Sequence, residues 1–268
     1  MDPPPGFVRL ERDGAELVLL RGLEDALLAL GIADPDALVA RSPANGVAGR
    51  GALARLELPG GSALLRLYRR GGLLGKVVRR LSLDGERARA ELALHARARE
   101  RGAPVVEAVA AITRRRGAGF EHALATREVA GARDLQRVLG EARGRERRRA
   151  LALAGEAVRA LHDAGVEHAD LNVKNVLVAG DRAFVIDLDR GELREALDDE
   201  ARRRNLIRLL RSALKLRLRE GTLESRDALR FARAYARGDR SLRSKLRGWG
   251  RAALPWIRLR SVAWKILS

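Results

Sequence analysis

The sequence predicts an α+β fold in two lobes, the first β-rich with one main helix and the second mainly helical. Three observations predict it. Short apolar runs separated by glycine-rich turns crowd the stretch 45–129. Apolar residues recur at helical spacing from residue 146 onward. Between two of those helices lie a loop rich in Asp and Asn and then a hairpin. The lobes are drawn at 1–129 and 130–268.

Taken in order, residues 1–45 predict a strand at 17–20 and a short helix at 23–30. Gly46, Gly49 and Gly51 mark a glycine-rich turn. The runs 52–58 and 62–68 flank Pro59-Gly60-Gly61 and predict a hairpin. Residues 84–101 read as a helix with Asp84 as N-cap and Gly102 as its end. Runs 105–113 and 122–129 add strands, making five in the first lobe. Residues 146–164 predict a helix with Leu151, Ala154, Val158 and Leu161 on one face, ended by Gly165. Runs 176–178 and 183–186 predict a second hairpin around Ala179-Gly180-Asp181-Arg182. Residues 198–220 predict a helix with Leu206, Leu209, Leu210, Ala213 and Leu214 inward. The remainder is Arg-rich and carries Trp249, Trp256 and Trp264.

Composition narrows the function. Apolar residues are 46% of the 268, enough for a sizeable core, and with 3% aromatics that core must be built from Leu, Ala and Val. A net charge of +18 favours anionic partners. The absence of Cys excludes disulfides, Cys-ligated zinc, iron–sulfur clusters and thiol nucleophiles. With 4 His, a His-rich metal site is not expected. The start, Met1-Asp2-Pro3-Pro4-Pro5-Gly6, has neither a basic region nor an apolar stretch, so no export signal is expected. No segment reaches the ~20 apolar residues needed to span a bilayer. A cytosolic chain, or one peripheral on a cytosolic membrane face, is expected.

The chemistry concentrates in 161–187. A helix ends, Asp170 sits in a loop, Asn175 follows five residues on, and the hairpin exits at Ile186-Asp187. Phosphoryl transfer needs such a set. The attacking hydroxyl needs a carboxylate to orient it and take its proton, which suits Asp170. Mg2+ takes hard oxygen ligands, which suits Asn175 and Asp187. H-x-D-x-x-x-x-N followed by a strand and I-D is the signature of the protein-kinase-like fold. The first lobe then supplies the ATP-binding partners. Gly46, Gly49 and Gly51 are expected to bring backbone N–H groups close to the phosphates. Arg66, within Leu64-Leu65-Arg66-Leu67, occupies the place of the usual phosphate-binding Lys. Glu91 is expected to hold Arg66, and Glu128-Val129 is expected to form the hinge whose backbone meets adenine. ATP is expected between the lobes. Arg in place of Lys is a departure from the pattern, though a guanidinium also binds phosphate.

Other features receive bland readings. His168 is expected to be a structural loop residue, and Asp189 is assigned no role. The runs Arg114–Arg116, Arg147–Arg149 and Arg202–Arg204 are expected to be solvated faces. The stretch 71–77 resembles a Walker A loop but fails it: three residues separate Gly71 from Gly75, and Val77 replaces the Ser/Thr.

Five segments together resemble the lipopolysaccharide core kinases. They are Tyr68-Arg69-Arg70-Gly71-Gly72, Gly102-Ala103-Pro104-Val105, His168-Ala169-Asp170-Leu171-Asn172, Ile186-Asp187-Leu188-Asp189-Arg190-Gly191 and Asn205-Leu206-Ile207-Arg208-Leu209-Leu210-Arg211-Ser212. The closest branch is the 3-deoxy-D-manno-octulosonic acid (Kdo) kinases, and the resemblance runs from about Gly49 to Lys215. It implies ATP- and Mg2+-dependent phosphorylation of a Kdo hydroxyl on Kdo-lipid A, at the cytoplasmic face of the inner membrane. A strongly basic chain suits such a polyanion and an anionic membrane surface, and the Trp-containing basic tail suits a membrane interface. Nucleic acid is not the expected partner. The rival readings are a small-molecule or RIO-like kinase with the same catalytic set, and a non-catalytic pseudokinase binding module.

Overall fold

The computed structural model describes residues 2–41, 53–68, 82–220 and 225–266. The chain divides into two compact units. The first comprises 1–97 and 106–128, and the second comprises 98–105 and 129–268.

The first unit is built on a six-stranded antiparallel sheet. Its strands are β1 (Phe7–Arg12), β2 (Ala15–Leu20), β3 (Leu53–Leu56), β4 (Ala63–Leu67), β5 (Ala108–Arg116) and β6 (Gly119–Arg127), in the order β1-β2-β5-β6-β4-β3. Six strands replace the five expected. The extra one, β1, pairs with β2 through Asp13-Gly14, both at positive φ (50° and 71°). That backbone matches the twist of a two-residue hairpin. A short helix, α1 (Glu24–Ala29), falls within the expected 23–30, and α2 (Pro35–Arg41) was not expected.

Side-chain alternation divides this sheet into two faces. Leu17, Leu19, Leu65, Leu67, Ala123 and Ala125 pack against Leu27, Ile32 and Leu38 from the α1–α2 segment. Val18, Leu124 and Tyr68 pack on the opposite face with Ala88 and Leu92 of α3 (Arg87–Glu100). Each fully buried Leu stabilises the unit by about 1.5–3 kcal/mol. Arg66 lies between Leu65 and Leu67 in β4, so the pleat turns it to the face that carries α3. The helix begins three residues later than expected. Asp84 accepts from Glu86 N–H at 2.9 Å and forms a turn ahead of α3 rather than its cap.

The second unit begins with 98–105. Pro104 carbonyl accepts from Val185 N–H at 2.8 Å, tying this segment to β10 (Arg182–Val185). β7 (Arg133–Asp134) precedes α4 (Leu135–Glu141), which Asp134 caps by accepting from Arg137 N–H. Next comes α5 (Gly144–Asp163), whose Leu151, Ala154, Val158 and Leu161 are all buried. β8 (Val166–Glu167) pairs with β11 (Glu192–Leu193), and β9 (Val176–Ala179) lies between β10 and β7. Three helices follow: α6 (Asp199–Glu220), α7 (Ser225–Ala236) and α8 (Arg240–Ile266).

Two expectations for this unit are corrected. In α6 the buried stripe is Ala201, Asn205, Leu209 and Leu216, whereas Leu206, Leu210, Ala213 and Leu214 are half-buried. The stripe is centred on a polar residue because Asn205 faces the loop at 168. The Arg runs are also not uniformly solvated. Arg147 is 2% exposed and donates to the fully buried Asp227 from Nη2 (2.5 Å) and Nε (3.1 Å). Arg202 is half-buried and holds Asp163 at 3.0 Å. Trp249 is half-buried, and the side chains of Trp256 and Trp264 lie outside the described set.

Candidate active site

The loop after α5 is organised by buried polar groups. His168 is fully buried. Its Nδ1 accepts from Asp170 N–H at 3.0 Å, which leaves Nε2–H to donate to the Ile186 carbonyl at 3.1 Å. The imidazole thereby ties the residue before Asp187 to the backbone of Asp170. Asn205 of α6 clasps the same loop, accepting from His168 N–H (2.9 Å) and donating to His168 carbonyl (3.2 Å).

Because Asn205 Oδ1 is an acceptor, His162 Nε2–H donates to it at 3.3 Å, and His162 Nδ1 accepts from the Tyr235 hydroxyl at 2.8 Å. Burial, reinforced by the Arg202 charge, pushes His162 down to about 3, so it stays neutral. A row of uncharged hydrogen bonds thus runs from α7 through α5 and α6 to the loop.

Within the loop, three residues converge on Asp170. Asn175 Nδ2 donates to the Asp170 carbonyl at 3.0 Å, and so does Asn172 Nδ2. Asn172 also reaches the Asp170 carboxylate, which is exposed. The 3-10 turn Val173–Asn175 then feeds β9. Asn175 carbonyl accepts from Ile186 N–H at 3.0 Å, so the hairpin returns Asp187 beside Asn175. Asp187 sits at φ 65°, a left-handed conformation that is uncommon outside Gly and concentrated at functional sites.

Asn175 spends its amide N–H on Asp170, so its amide oxygen is the atom that would meet a cation. With the Asp187 carboxylate this makes a hard-oxygen donor set, which fits Mg2+. Among the described residues no cluster of three or more His, Cys, Asp or Glu suits a metal ion. The candidate pair is one amide and one carboxylate, a smaller set.

The first unit holds a second group. Arg66 Nη2 donates to both carboxylate oxygens of Glu91 at 2.9 Å. The Tyr68 hydroxyl donates to Glu91 Oε2, and the Tyr68 ring lies 4.7 Å from the Arg66 guanidinium carbon. His95 Nδ1–H donates to Val106 carbonyl at 2.9 Å, placing its Nε2 3.8 Å from Glu91. Burial raises the Glu91 carboxyl, but Arg66, His95 and Tyr68 together outweigh it and bring Glu91 down to about 2. Sequence reasoning paired Arg66 with Glu91 but missed Tyr68. The signal was present: Tyr68 is two residues from Arg66 in an extended run and shares its face.

Glu128 has an additional task. Its carboxylate accepts from Arg55 (2.6 and 2.8 Å) and Ser62 Oγ (2.7 Å), and its N–H donates to Ser62 carbonyl. Burial raises this carboxyl, and those two partners hold it below its ordinary value. The side chain therefore fastens the β3–β4 hairpin. Val129 carbonyl accepts from Ala132 N–H at 3.1 Å. Gly46, Gly49, Gly51 and the 71–77 stretch lie outside the described residues.

The profile of the family described as "Lipopolysaccharide kinase (Kdo/WaaP) family" matches residues 41–235. A protein of Stenotrophomonas maltophilia named 3-deoxy-D-manno-octulosonic acid kinase is 35% identical over 214 residues, 77% of this chain and 84% of that protein. A protein of the same name from Xanthomonas campestris pv. campestris is 37% identical over 198 residues, 70% of this chain and 76% of that protein. Among solved structures, "WaaP in complex with acyl carrier protein" superposes with a TM-score of 0.57 at 26% identity, covering 92% of this chain and 98% of that one. The α+β architecture is thus that of a kinase-like fold. The loop that presents Asp170 and the hairpin that returns Asp187 both lie inside the matched residues, and on that evidence the chain belongs to the Kdo/WaaP lipopolysaccharide kinase family.

Proposed function

We propose that this protein is an ATP-dependent kinase that phosphorylates a Kdo hydroxyl of the lipopolysaccharide inner core, with Kdo-lipid A as acceptor. The observation that carries this reading is the loop at 168–175, which fixes Asp170 from both sides while leaving its carboxylate exposed.

In the transfer, the sugar hydroxyl oxygen bonds to the γ-phosphorus of ATP. The β–γ bridging bond breaks and ADP leaves. The hydroxyl proton passes to Asp170. Asn175 and Asp187 would hold Mg2+, which would supply neutralisation of the phosphate charge. Arg66, kept in place by Glu91 and Tyr68, contacts the phosphates, and its guanidinium offers donors suited to them. The backbone of Glu128 and Val129 meets adenine.

The protein acts in the cytoplasm, peripheral on the inner membrane. The net charge of +18 supports attraction to anionic lipid, and no described helix is long and apolar enough to cross a membrane.

The test is transfer of γ-phosphate to Kdo-lipid A, read by mass spectrometry of the lipid, with wild type and Asp170→Asn. A phosphorylated product from wild type and at least a ~100-fold loss in the variant are expected. No lipid product from a wild type that binds ATP would remove the Kdo assignment.

A further inference from the structure

Asn172 lies two residues after Asp170 and its side chain is committed at both ends. Its Oδ1 accepts from Lys174 N–H at 2.9 Å, capping the 3-10 turn. Its Nδ2 donates to the Asp170 carbonyl at 3.0 Å and to Asp170 Oδ2 at 3.1 Å. The cap requires an oxygen on one side and the carboxylate requires a donor on the other. The amide therefore has one orientation, and a flip would break every one of these bonds.

The consequence falls on Asp170. Its N–H is held by His168, its carbonyl by Asn172 and Asn175, and one carboxylate oxygen, Oδ2, by Asn172. Oδ1 is the oxygen with no hydrogen bond among the described residues. An exposed Asp otherwise rotates freely about its side-chain torsions, and a base must sit within hydrogen-bond reach of the proton it takes.

We propose that Asn172 is a positioning residue for the transfer. It locks the Asp170 carboxylate in one rotamer, with Oδ2 occupied and Oδ1 presented to the acceptor hydroxyl. This rests on the reading of Asp170 as the proton acceptor. The proton leaves the hydroxyl oxygen as that oxygen bonds to phosphorus, and it arrives on Oδ1.

Capping and positioning separate experimentally because Asp and Ser cap turns about as well as Asn does, while neither reproduces the amide donor at this reach. Wild type, Asn172→Asp, Asn172→Ser and Asp170→Asn are compared on ATP and Kdo-lipid A for kcat, both KM values and Tm. Loss of a hydrogen bond to a charged group predicts that kcat falls roughly 10- to 100-fold in both Asn172 variants. KM for ATP and Tm stay near wild type. If both variants match wild type in kcat, Asn172 only caps the turn and the proposal is overturned. If Asn172→Asp is slow and Asn172→Ser is not, the effect is charge repulsion alone and the proposal is again overturned. A kcat loss that tracks a fall in Tm assigns the residue to the fold and also overturns it. If Asp170→Asn transfers as fast as wild type, the underlying reading of Asp170 fails, and that result is distinct from the other three.

Discussion

The Glu91 carboxylate is 1% exposed, yet it is held ionised by Arg66, Tyr68 and His95. Removing Arg66 strands that charge. Arg66→Met is expected to destabilise the protein by about 3 kcal/mol, since a buried charge without its partner costs that much. It should also raise KM for ATP. Denaturant melts and ATP titration check the two effects separately. Glu91 and His162 also make stability depend on pH. Glu91 falls from an ordinary 4.5 to about 2, so its contribution is complete above 4.5 and is lost as pH drops through 2. His162 falls from 6.5 to about 3, so the unfolded chain binds its proton first. Its contribution is complete above 6.5 and is lost between 6.5 and 3. Urea midpoints should therefore start to fall near pH 6.5. In His162→Gln the slope between 6.5 and 4.5 should flatten; an unchanged slope would show that His162 does not stay neutral in the folded protein.

The pairing of α5 with α7 depends on two features of those helices. At Gly155 an added Cβ would lie 2.6 Å from the Phe231 carbonyl oxygen and 3.0 Å from Ala234 Cβ. The obstacle is backbone, which cannot swing aside. Gly155→Ala, a change that raises helix propensity elsewhere, is therefore expected to destabilise the second unit by about 1–3 kcal/mol, read from Tm. Near the other end of α7, Arg147 and Asp227 form a buried pair, with Leu139 carbonyl as a further acceptor for Arg147. Asp227→Ala leaves a buried guanidinium and should cost about 3–5 kcal/mol. Tyr235 sits on the same helix and donates to His162, so loosening α7 also loosens the row of hydrogen bonds ending at His168.

For the molecule as a whole, charge decides the longest-range behaviour. A net +18 attracts anionic surfaces, and at physiological salt that attraction decays within about 8 Å. Binding to vesicles containing phosphatidylglycerol is expected at low salt and should weaken several-fold by about 0.5 M NaCl, as followed by co-sedimentation. Neutral phosphatidylcholine vesicles should bind poorly. Equal binding to both lipids would mean that insertion of apolar groups, not charge, drives the association.

Local chemistry made much of this protein readable from residue order. Pro59-Gly60-Gly61 between two apolar runs marks the β3–β4 hairpin, and the spacing of Leu151, Ala154, Val158 and Leu161 marks the core face of α5. The proposed set Asp170, Asn175 and Asp187 was read from chemistry and spacing, and the hairpin that joins its last two members brings Ile186 N–H to the Asn175 carbonyl. Strand β1 was missed, although Asp13-Gly14 is a strong two-residue turn signal. What only the tertiary structure decided are the partners across long stretches of chain. Arg147 within an Arg-rich helix start reads as solvated, and only the packing of α7 supplies Asp227 eighty residues away. Asn205 reads as a polar interruption in an apolar stripe until α6 lies along the loop at His168. Burial of a charge or an amide depends on what another element brings to it, and no period or motif within one segment carries that information.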